Sequence, residues 1–265
     1  MQNYKIGIMG IGMVGGAVAR YFESRGEKPI LYDPPRGLDS KEEINKADVI
    51  FVCVPTPYDE ERGGFDLSHV RQAVSVLDGE KIIVLKSTIL PGSTDLLQQE
   101  FPQHKIIFNP EFLTESSAMQ DMAYPERQIV GYTEKSFNIA KDILMMLPLA
   151  SFERILPAKA AELVKYFSNT WYASKVVFAN QFYDVCQKLD VDYDMISDCA
   201  LADKRIGRDH IGNIFHGGYR GYGGKCLPKD TRAFIQLGDR LGAEQKLLKI
   251  VEEINNELVG KEGGK

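Results

Sequence analysis

Long apolar stretches are missing from this sequence, and no run reaches the length a helix needs to cross a bilayer. A leader segment is not seen either. The apolar run after Lys5 is short, reads as a strand and stops at glycines. Excess positive charge is absent: the net charge is -5, which argues against broad nucleic-acid binding, because that needs a basic footprint. Cysteine and histidine are scarce, with four of each. Cys53, Cys186, Cys199 and Cys226 show no C-x-x-C spacing, which fails as a zinc site and fits a reducing cytoplasm. His210 and His216 are close in sequence but read as solvent or substrate-loop residues rather than metal ligands, so no metal is expected. Internal repeats and low-complexity segments are also lacking. What remains is 44% hydrophobic and 26% charged over 265 residues, a globular chain with room for one large domain or two modest ones.

The first half alternates strand and helix. Tyr4 to Met9 is a short apolar strand, Met13 to Arg25 a helical pattern, and Pro29 to Tyr32 a second strand. Further strands are expected at Asp48 to Val54, Lys81 to Lys86, Lys105 to Phe108, Gln128 to Gly131 and Ser151 to Leu156. Short apolar strands separated by helical patterns predict a parallel sheet covered on both faces. After Pro157 the pattern is helical, in Ala158 to Leu189, Tyr193 to Leu201, Pro228 to Leu241 and Ala243 to Leu258. A loop rich in Gly, Arg and His runs from Lys204 to Lys225. Cys53 falls inside a strand and Cys186 inside a helix, so both read as core. The expected fold is α/β: a Rossmann-type parallel sheet in residues 1–157 and an all-helical domain in residues 158–265 with a polar, frayed tail.

Two stretches carry chemistry. In the first, Gly10-Ile11-Gly12-Met13-Val14-Gly15 follows a strand, opens a helix, and is followed by Asp33 at the end of the next strand. That context makes the G-x-G-x-x-G pattern a dinucleotide-binding turn. Gly10 permits the tight turn, Gly12 lets a pyrophosphate approach the backbone, and Gly15 lets helix and strand pack closely. The helix start offers N–H groups to the phosphates. Asp33 accepts hydrogen bonds from the adenosine ribose, and its charge repels a 2′-phosphate, so NAD is favoured over NADP. Arg36 close by is the opposing signal, since an arginine there accommodates a phosphate.

The second stretch is Gly221-Tyr222-Gly223-Gly224-Lys225-Cys226-Leu227-Pro228-Lys229-Asp230. Glycines let the backbone press against a ligand. Pro228 suits the first turn of a helix. A thiol at a helix start beside Lys229 gains thiolate character, and Asp230 is placed to hold a water or a proton. The plainer reading is a Gly-rich turn carrying a buried structural cysteine.

Together these motifs resemble the UDP-glucose/GDP-mannose dehydrogenase family. Val54-Pro55-Thr56-Pro57, Lys86-Ser87-Thr88, Asn109-Pro110-Glu111-Phe112-Leu113-Thr114-Glu115, Ala161-Glu162-Leu163-Val164-Lys165 with Asn169, Arg205-Ile206-Gly207 and the cysteine loop stand in the family's order. The resemblance implies two successive oxidations at C6 of a nucleotide sugar such as UDP-glucose, with two NAD used per turnover. It implies that Cys226 attacks the intermediate aldehyde to give a thiohemiacetal, then a thioester that water hydrolyses. Lys165 and Asn169, four apart on one helix, then stabilise the developing oxyanion. By the same resemblance Thr88 and Asp230 position water, and Glu111 is the acid/base of hydrolysis. Thr56 and Thr88 line the cofactor site, and Gly223 lies in the substrate loop. Glu115 contacts substrate or cofactor, or only caps the next segment. Arg205 reaches the substrate of a neighbouring subunit, or is a surface arginine. Arg220 and Lys225 meet phosphate or are solvated. The helix Ala243 to Leu258 continues a homodimer interface.

Two departures accompany the resemblance. The family carries a third domain that holds much of the nucleotide, and this sequence stops at Lys265, either as part of a longer protein or as a natural short form. Between Asp33 and Asp48 the family has a further helix and strand, so the sheet is expected to be abbreviated on that side. Two other readings stand beside this one. One is a β-hydroxyacid-type dehydrogenase, which pairs a lysine and an asparagine four apart and needs no cysteine. The other is a non-catalytic NAD-binding protein.

Overall fold

In the computed structural model, residues 4–59, 64–114, 116–207, 210–212, 214–215, 218–224 and 226–261 are described. The chain divides into two compact units, Met1–Lys165 and Tyr166–Lys265. The division falls within one unbroken helix, Ala158–Lys188.

The first unit runs β1 (Ile6–Met9), α1 (Met13–Ser24), β2 (Ile30–Tyr32), α2 (Lys41–Ile44), β3 (Val49–Val52), a small hairpin of β4 (Tyr58–Asp59) and β5 (Gly64–Phe65), and α3 (Ser68–Ser75). It continues with β6 (Ile82–Leu85), α4 (Ser93–Glu100), β7 (Lys105–Phe108), α5 (Ala118–Ala123), β8 (Arg127–Tyr132), α6 (Ala140–Met146), β9 (Phe152–Pro157) and the start of α7 (Ala158–Lys188). Seven strands form one sheet in the order β2-β1-β3-β6-β7-β8-β9. Strands β1, β3 and β6 are buried along their whole length. Their alternate side chains feed two separate cores. Met9, Ile50, Val52, Ile83 and Leu85 pack on one face, and Ile8, Phe51, Val84 and Ile107 on the other with Phe22 of α1. A continuous apolar strand therefore still obeys the two-residue period, with both faces covered.

The register aligns Met9, Val52, Leu85 and Phe108, so β1, β3, β6 and β7 end along one edge of the sheet. The chain passes from β2 on one side of β1 to β3 on the other, which makes the strand order reverse at β1. A crevice outside the carboxyl ends at such a reversal is where open α/β sheets bind ligands. The shortening expected after β2 is present. Pro34–Arg36 form one 3-10 turn, Gly37 turns left-handed, and α2 leads straight to β3, so β2 is an edge.

One expectation is corrected. The sheet is not parallel throughout: β7 pairs with β8 antiparallel, and β8 pairs with β9 in parallel. The six residues of α5 rise only about 9 Å. The segment after β7 therefore does not carry the chain back along the sheet, and β8 starts at the end where β7 stopped. A four-residue apolar strand carries no sign of its direction. Strand β9 is also an exposed edge rather than a buried strand.

The second unit holds the rest of α7, α8 (Tyr193–Ala200), α9 (Leu227–Arg240) and α10 (Lys246–Lys261). One core gathers Ala179, Cys186, Tyr193, Ile211 and Ile214; another gathers Ala173, Val177, Tyr222 and Val251. Among the described residues, no helix is long and apolar enough to cross a membrane.

Candidate active site

The turn after β1 is shaped by its glycines. Gly10 has φ 85°, and a Cβ there would lie 2.9 Å from the Cys53 carbonyl oxygen. A Cβ on Gly15 would sit 1.9 Å from the Gly10 carbonyl oxygen. At Gly12 a Cβ would meet nothing within 4 Å, so the protein's own packing does not explain that glycine. Helix α1 begins at Met13 with no side-chain cap and no acidic residue in its first turn. Asp33 follows β2, and its Oδ2 accepts the Ile11 N–H at 2.7 Å. One carboxylate oxygen thus holds the glycine turn itself, a role the sequence reading missed. The Arg36 Nε lies 3.5 Å from the same oxygen, so its charge is turned to Asp33.

The aligned strand ends are knitted together by buried polar groups. Thr56 Oγ1 donates to the Thr88 carbonyl at 2.7 Å, and Ser87 Oγ to the Val54 carbonyl at 2.6 Å. Lys86 Nζ, almost fully buried, donates to Asn109 Oδ1 at 2.6 Å, and Asn109 Nδ2 donates to the Ile129 carbonyl at 2.8 Å. Burial pushes the Lys86 pKa down, with Lys165 adding repulsion. Burial pushes the Cys53 thiol up to about 12 despite the nearby Lys86. Lys86 and Asn109 lay inside motifs quoted above but had been given no role.

Glu111 and Lys165 form a buried ion pair, Oε1 to Nζ 2.7 Å. Lys165 Nζ also donates to the Glu111 carbonyl at 2.9 Å, and the Leu113 N–H donates to Glu111 Oε2 at 2.8 Å. Burial pushes the Glu111 carboxyl up. The Lys165 charge and hydrogen bond, the Leu113 N–H and Lys86 outweigh it, and the net shift is below the usual carboxylate value.

In the second unit Cys226 is exposed and stands at the start of α9, as its neighbours Pro228 and Asp230 predict. The plainer reading of a buried structural cysteine is excluded. Its carbonyl accepts the Asp230 N–H at 3.0 Å. Asp230 is wholly buried; Asn169 Nδ2 donates to its Oδ2 at 2.5 Å, and Lys229 Nζ to its Oδ1 at 2.5 Å. A Cβ on Gly223 would lie 2.1 Å from the Tyr219 hydroxyl, so a side chain there would have to displace that ring.

Arg205 is exposed and bound to Asp203, its Nη2 2.5 Å from Oδ2. Arg220 is not a solvated charge, because its side chain is mostly buried. Its Nε donates to Asn180 Oδ1 at 3.0 Å and its Nη1 pairs with Asp184 at 2.7 Å, which pins the cysteine loop to α7. His210 stacks on Tyr172 with centroids 4.3 Å apart rather than facing solvent. Glu115, Lys225 and His216 lie outside the described residues. No group of three metal-binding side chains occurs among the described residues.

Residues 159–257 match the model of the UDP-glucose/GDP-mannose dehydrogenase family, central domain. Residues 37–146 match the same family's NAD binding domain. The chain belongs to the UDP-glucose/GDP-mannose dehydrogenase family. It is 30% identical to the UDP-glucose 6-dehydrogenase YwqF of Bacillus subtilis, over 80% of this chain and 49% of that protein. It is 33% identical to the UDP-glucose 6-dehydrogenase of Rickettsia prowazekii, over 80% of this chain and 50% of that protein. Its structure is similar to that of a UDP-glucose dehydrogenase from the hyperthermophilic archaeon Pyrobaculum islandicum. There the TM-score is 0.83 and the identity 28%, over 96% of this chain and 68% of that one. The chain therefore spans about half the length of the curated relatives it matches.

The cofactor of this dehydrogenase family's N-terminal domain is NAD. The residues present fit it. Gly12 leaves a cradle that any side chain would begin to fill, the uncapped start of α1 presents N–H groups, and Asp33 supplies a carboxylate at the end of β2.

Proposed function

We propose that this chain carries the NAD-dependent oxidation of a nucleotide sugar, UDP-glucose, from the C6 alcohol to the carboxylate, with Cys226 as nucleophile. NAD, when bound, accepts the hydride of each oxidation. Gly10, Ile11, Gly12, Met13, Val14, Gly15 and Asp33 hold it, with Thr56 and Thr88 at neighbouring strand ends. The Cys226 thiolate adds to the aldehyde carbon, which keeps a reactive intermediate bound and leaves a tetrahedral oxyanion. Lys165 and Asn169 donate to that oxygen. After the second oxidation the sulfur carries an acyl group. Water then cleaves the thioester, its proton is taken up and the thiolate leaves; the family resemblance assigns Asp230, Thr88 and Glu111 to that step.

The observation that carries this reading is the buried Asp230 one helical turn after an exposed Cys226, with Asn169 and Lys229 both bound to its carboxylate. Such a buried carboxylate fixes the donor of Asn169 and offers an acceptor beside a thiol. Incubation with NAD and UDP-glucose tests it. Two NADH per sugar are expected, with an acyl adduct on Cys226 by mass spectrometry. A fully active Cys226→Ser variant yielding one NADH would instead favour the β-hydroxyacid-type reading.

Pairing of two copies through the helical unit belongs to the same proposal. Phe167, Trp171, Phe178 and Phe182 recur along α7 and are exposed, as are Leu247 and Ile250 of α10. An apolar stripe of that kind on a helix marks an interaction surface. Sedimentation velocity checks it: a dimer is expected, and a monomer after Phe178→Glu with Trp171→Glu.

A further inference from the structure

Helix α10 touches the cysteine loop at two side chains three residues apart, Glu252 and Asn255, which share a helical face. Asn255 is buried and clasps the backbone of Tyr222 from both sides. Its Oδ1 accepts the Tyr222 N–H at 2.6 Å, and its Nδ2 donates to the Tyr222 carbonyl at 3.0 Å. Glu252 divides its carboxylate between two limbs. Oε2 accepts the Tyr222 hydroxyl at 2.7 Å, and Oε1 pairs with Arg232 Nε of α9 at 2.5 Å. Tyr222 precedes Cys226 and Arg232 follows it, so one face of α10 holds the chain before and after the thiol. Gly221 marks how close the helix lies: with φ 87°, a Cβ there would be 2.7 Å from Asn255 Oδ1. Between the clasp at Tyr222 and the start of α9, Gly223 and Gly224 give the chain no stiffness of its own, and Gly224 has φ 72°.

We propose that α10 is a splint for Cys226, with Asn255 and Glu252 as positioning residues that hold the nucleophile at the start of α9. The proposal rests on the cysteine reading above. The amide of Asn255 saturates both backbone groups of Tyr222, groups that a buried loop must otherwise leave unmet at considerable cost. Loss of that clasp frees the glycine pair, and the thiol no longer stays at the start of α9, a helix N-terminus of the kind that favours a thiolate.

The test uses the intact chain and two readouts that need no turnover. The first is amide hydrogen exchange in a peptide spanning Tyr222 and Cys226. The second is alkylation by iodoacetamide at neutral pH, scored as the rate at Cys226 relative to Cys199, the other exposed cysteine among the described residues. In Asn255→Leu, exchange of that peptide should rise at least about tenfold, because both buried hydrogen bonds of the clasp are lost. The Cys226 to Cys199 alkylation ratio should fall by about threefold or more as thiolate character is lost. Asn255→Asp, which keeps an acceptor for the Tyr222 N–H but sets a carboxylate oxygen in place of the donor against the Tyr222 carbonyl, gives the same signs and serves if the leucine variant does not fold. An alkylation ratio that stays the same or rises overturns the splint while leaving the cysteine chemistry standing. A fully active Cys226→Ser variant does the reverse.

Discussion

Glu162 of α7 is bound twice to Thr94 of α4, its Oε1 accepting the Thr94 N–H at 2.8 Å and the Thr94 hydroxyl at 2.6 Å. Its Oε2 accepts the Gly92 N–H at 2.5 Å, so one wholly buried carboxyl caps the start of α4. Gly92, at the cap position, has no side chain with which to do this.

That carboxyl should make stability depend on pH near neutrality. Burial raises the Glu162 pKa from 4.5 to about 7, against the three hydrogen bonds that lower it. The folded protein therefore holds this proton more tightly than the unfolded chain. The stabilisation is complete below about pH 4.5 and is lost as pH rises through 7. The difference is worth roughly 3 kcal/mol at most. Glu162→Gln should flatten the thermal-melting curve against pH in that window. A variant whose midpoint keeps the parent's slope between pH 5 and 7 (about the titration range) would show that the slope comes from other groups.

The Glu111–Lys165 pair predicts the opposite sign. The Glu111 carboxyl lies below its ordinary value of 4.5, so its contribution is present above that pH and fades as pH falls through the lowered one. Removing one partner leaves the other charge buried and alone, which costs about 3–5 kcal/mol. Glu111→Leu or Lys165→Met alone should each lose about that much in urea unfolding. The double variant should lose far less than the two together, because no charge is stranded. Additive losses would mean that the two side chains are not coupled.

The pairings that make the site were not readable in the sequence, although its parts were. The seven strands of the main sheet could be placed from short apolar runs, though not the β4–β5 hairpin, and the glycine turn could be placed from its spacing. The partner of Glu111 could not, because Lys165 is 54 residues away and no periodicity links a strand end to a helix face. Arg220 is a similar case. As a charge beside a reactive cysteine it read as meeting phosphate or as solvated, whereas each of its three guanidinium nitrogens has a partner in Asn180 or Asp184. Local chemistry names which residues can act. Which of them serve as struts is decided by contacts made across the fold.

Asp33 holds the Ile11 N–H, so Asp33→Ala should act twice. It removes the clamp on the glycine turn and, on the proposed reading, a ribose acceptor. NAD affinity should fall by about tenfold or more, the value of one charge-assisted hydrogen bond. NADP should be affected less, since the repelled 2′-phosphate then meets only Arg36. Calorimetric titration with both cofactors separates these effects. An unmodified protein that prefers NADP contradicts the reading of Asp33.

Gly12 and Gly15 stand three residues apart in the same turn, and their alanine variants should fail for different reasons. At Gly15 an added methyl would sit 1.9 Å from the Gly10 carbonyl oxygen, and that backbone is held by the Gly10 N–H bond to Tyr32. The methyl has nowhere to go, so Gly15→Ala should lose about 3 kcal/mol of stability or not fold. At Gly12 nothing of the protein lies within 4 Å of the added methyl. Gly12→Ala should therefore melt within about 1 °C of the parent, in keeping with a surface change of under 0.5 kcal/mol. If the turn holds the pyrophosphate as proposed, its methyl enters the space the phosphates need, and NAD binding should weaken by about a hundredfold, near 2.7 kcal/mol. Melting curves and cofactor titration on the two variants give a crossed pattern. If Gly12→Ala bound NAD as tightly as the parent, the cradle would lie elsewhere than at the start of α1.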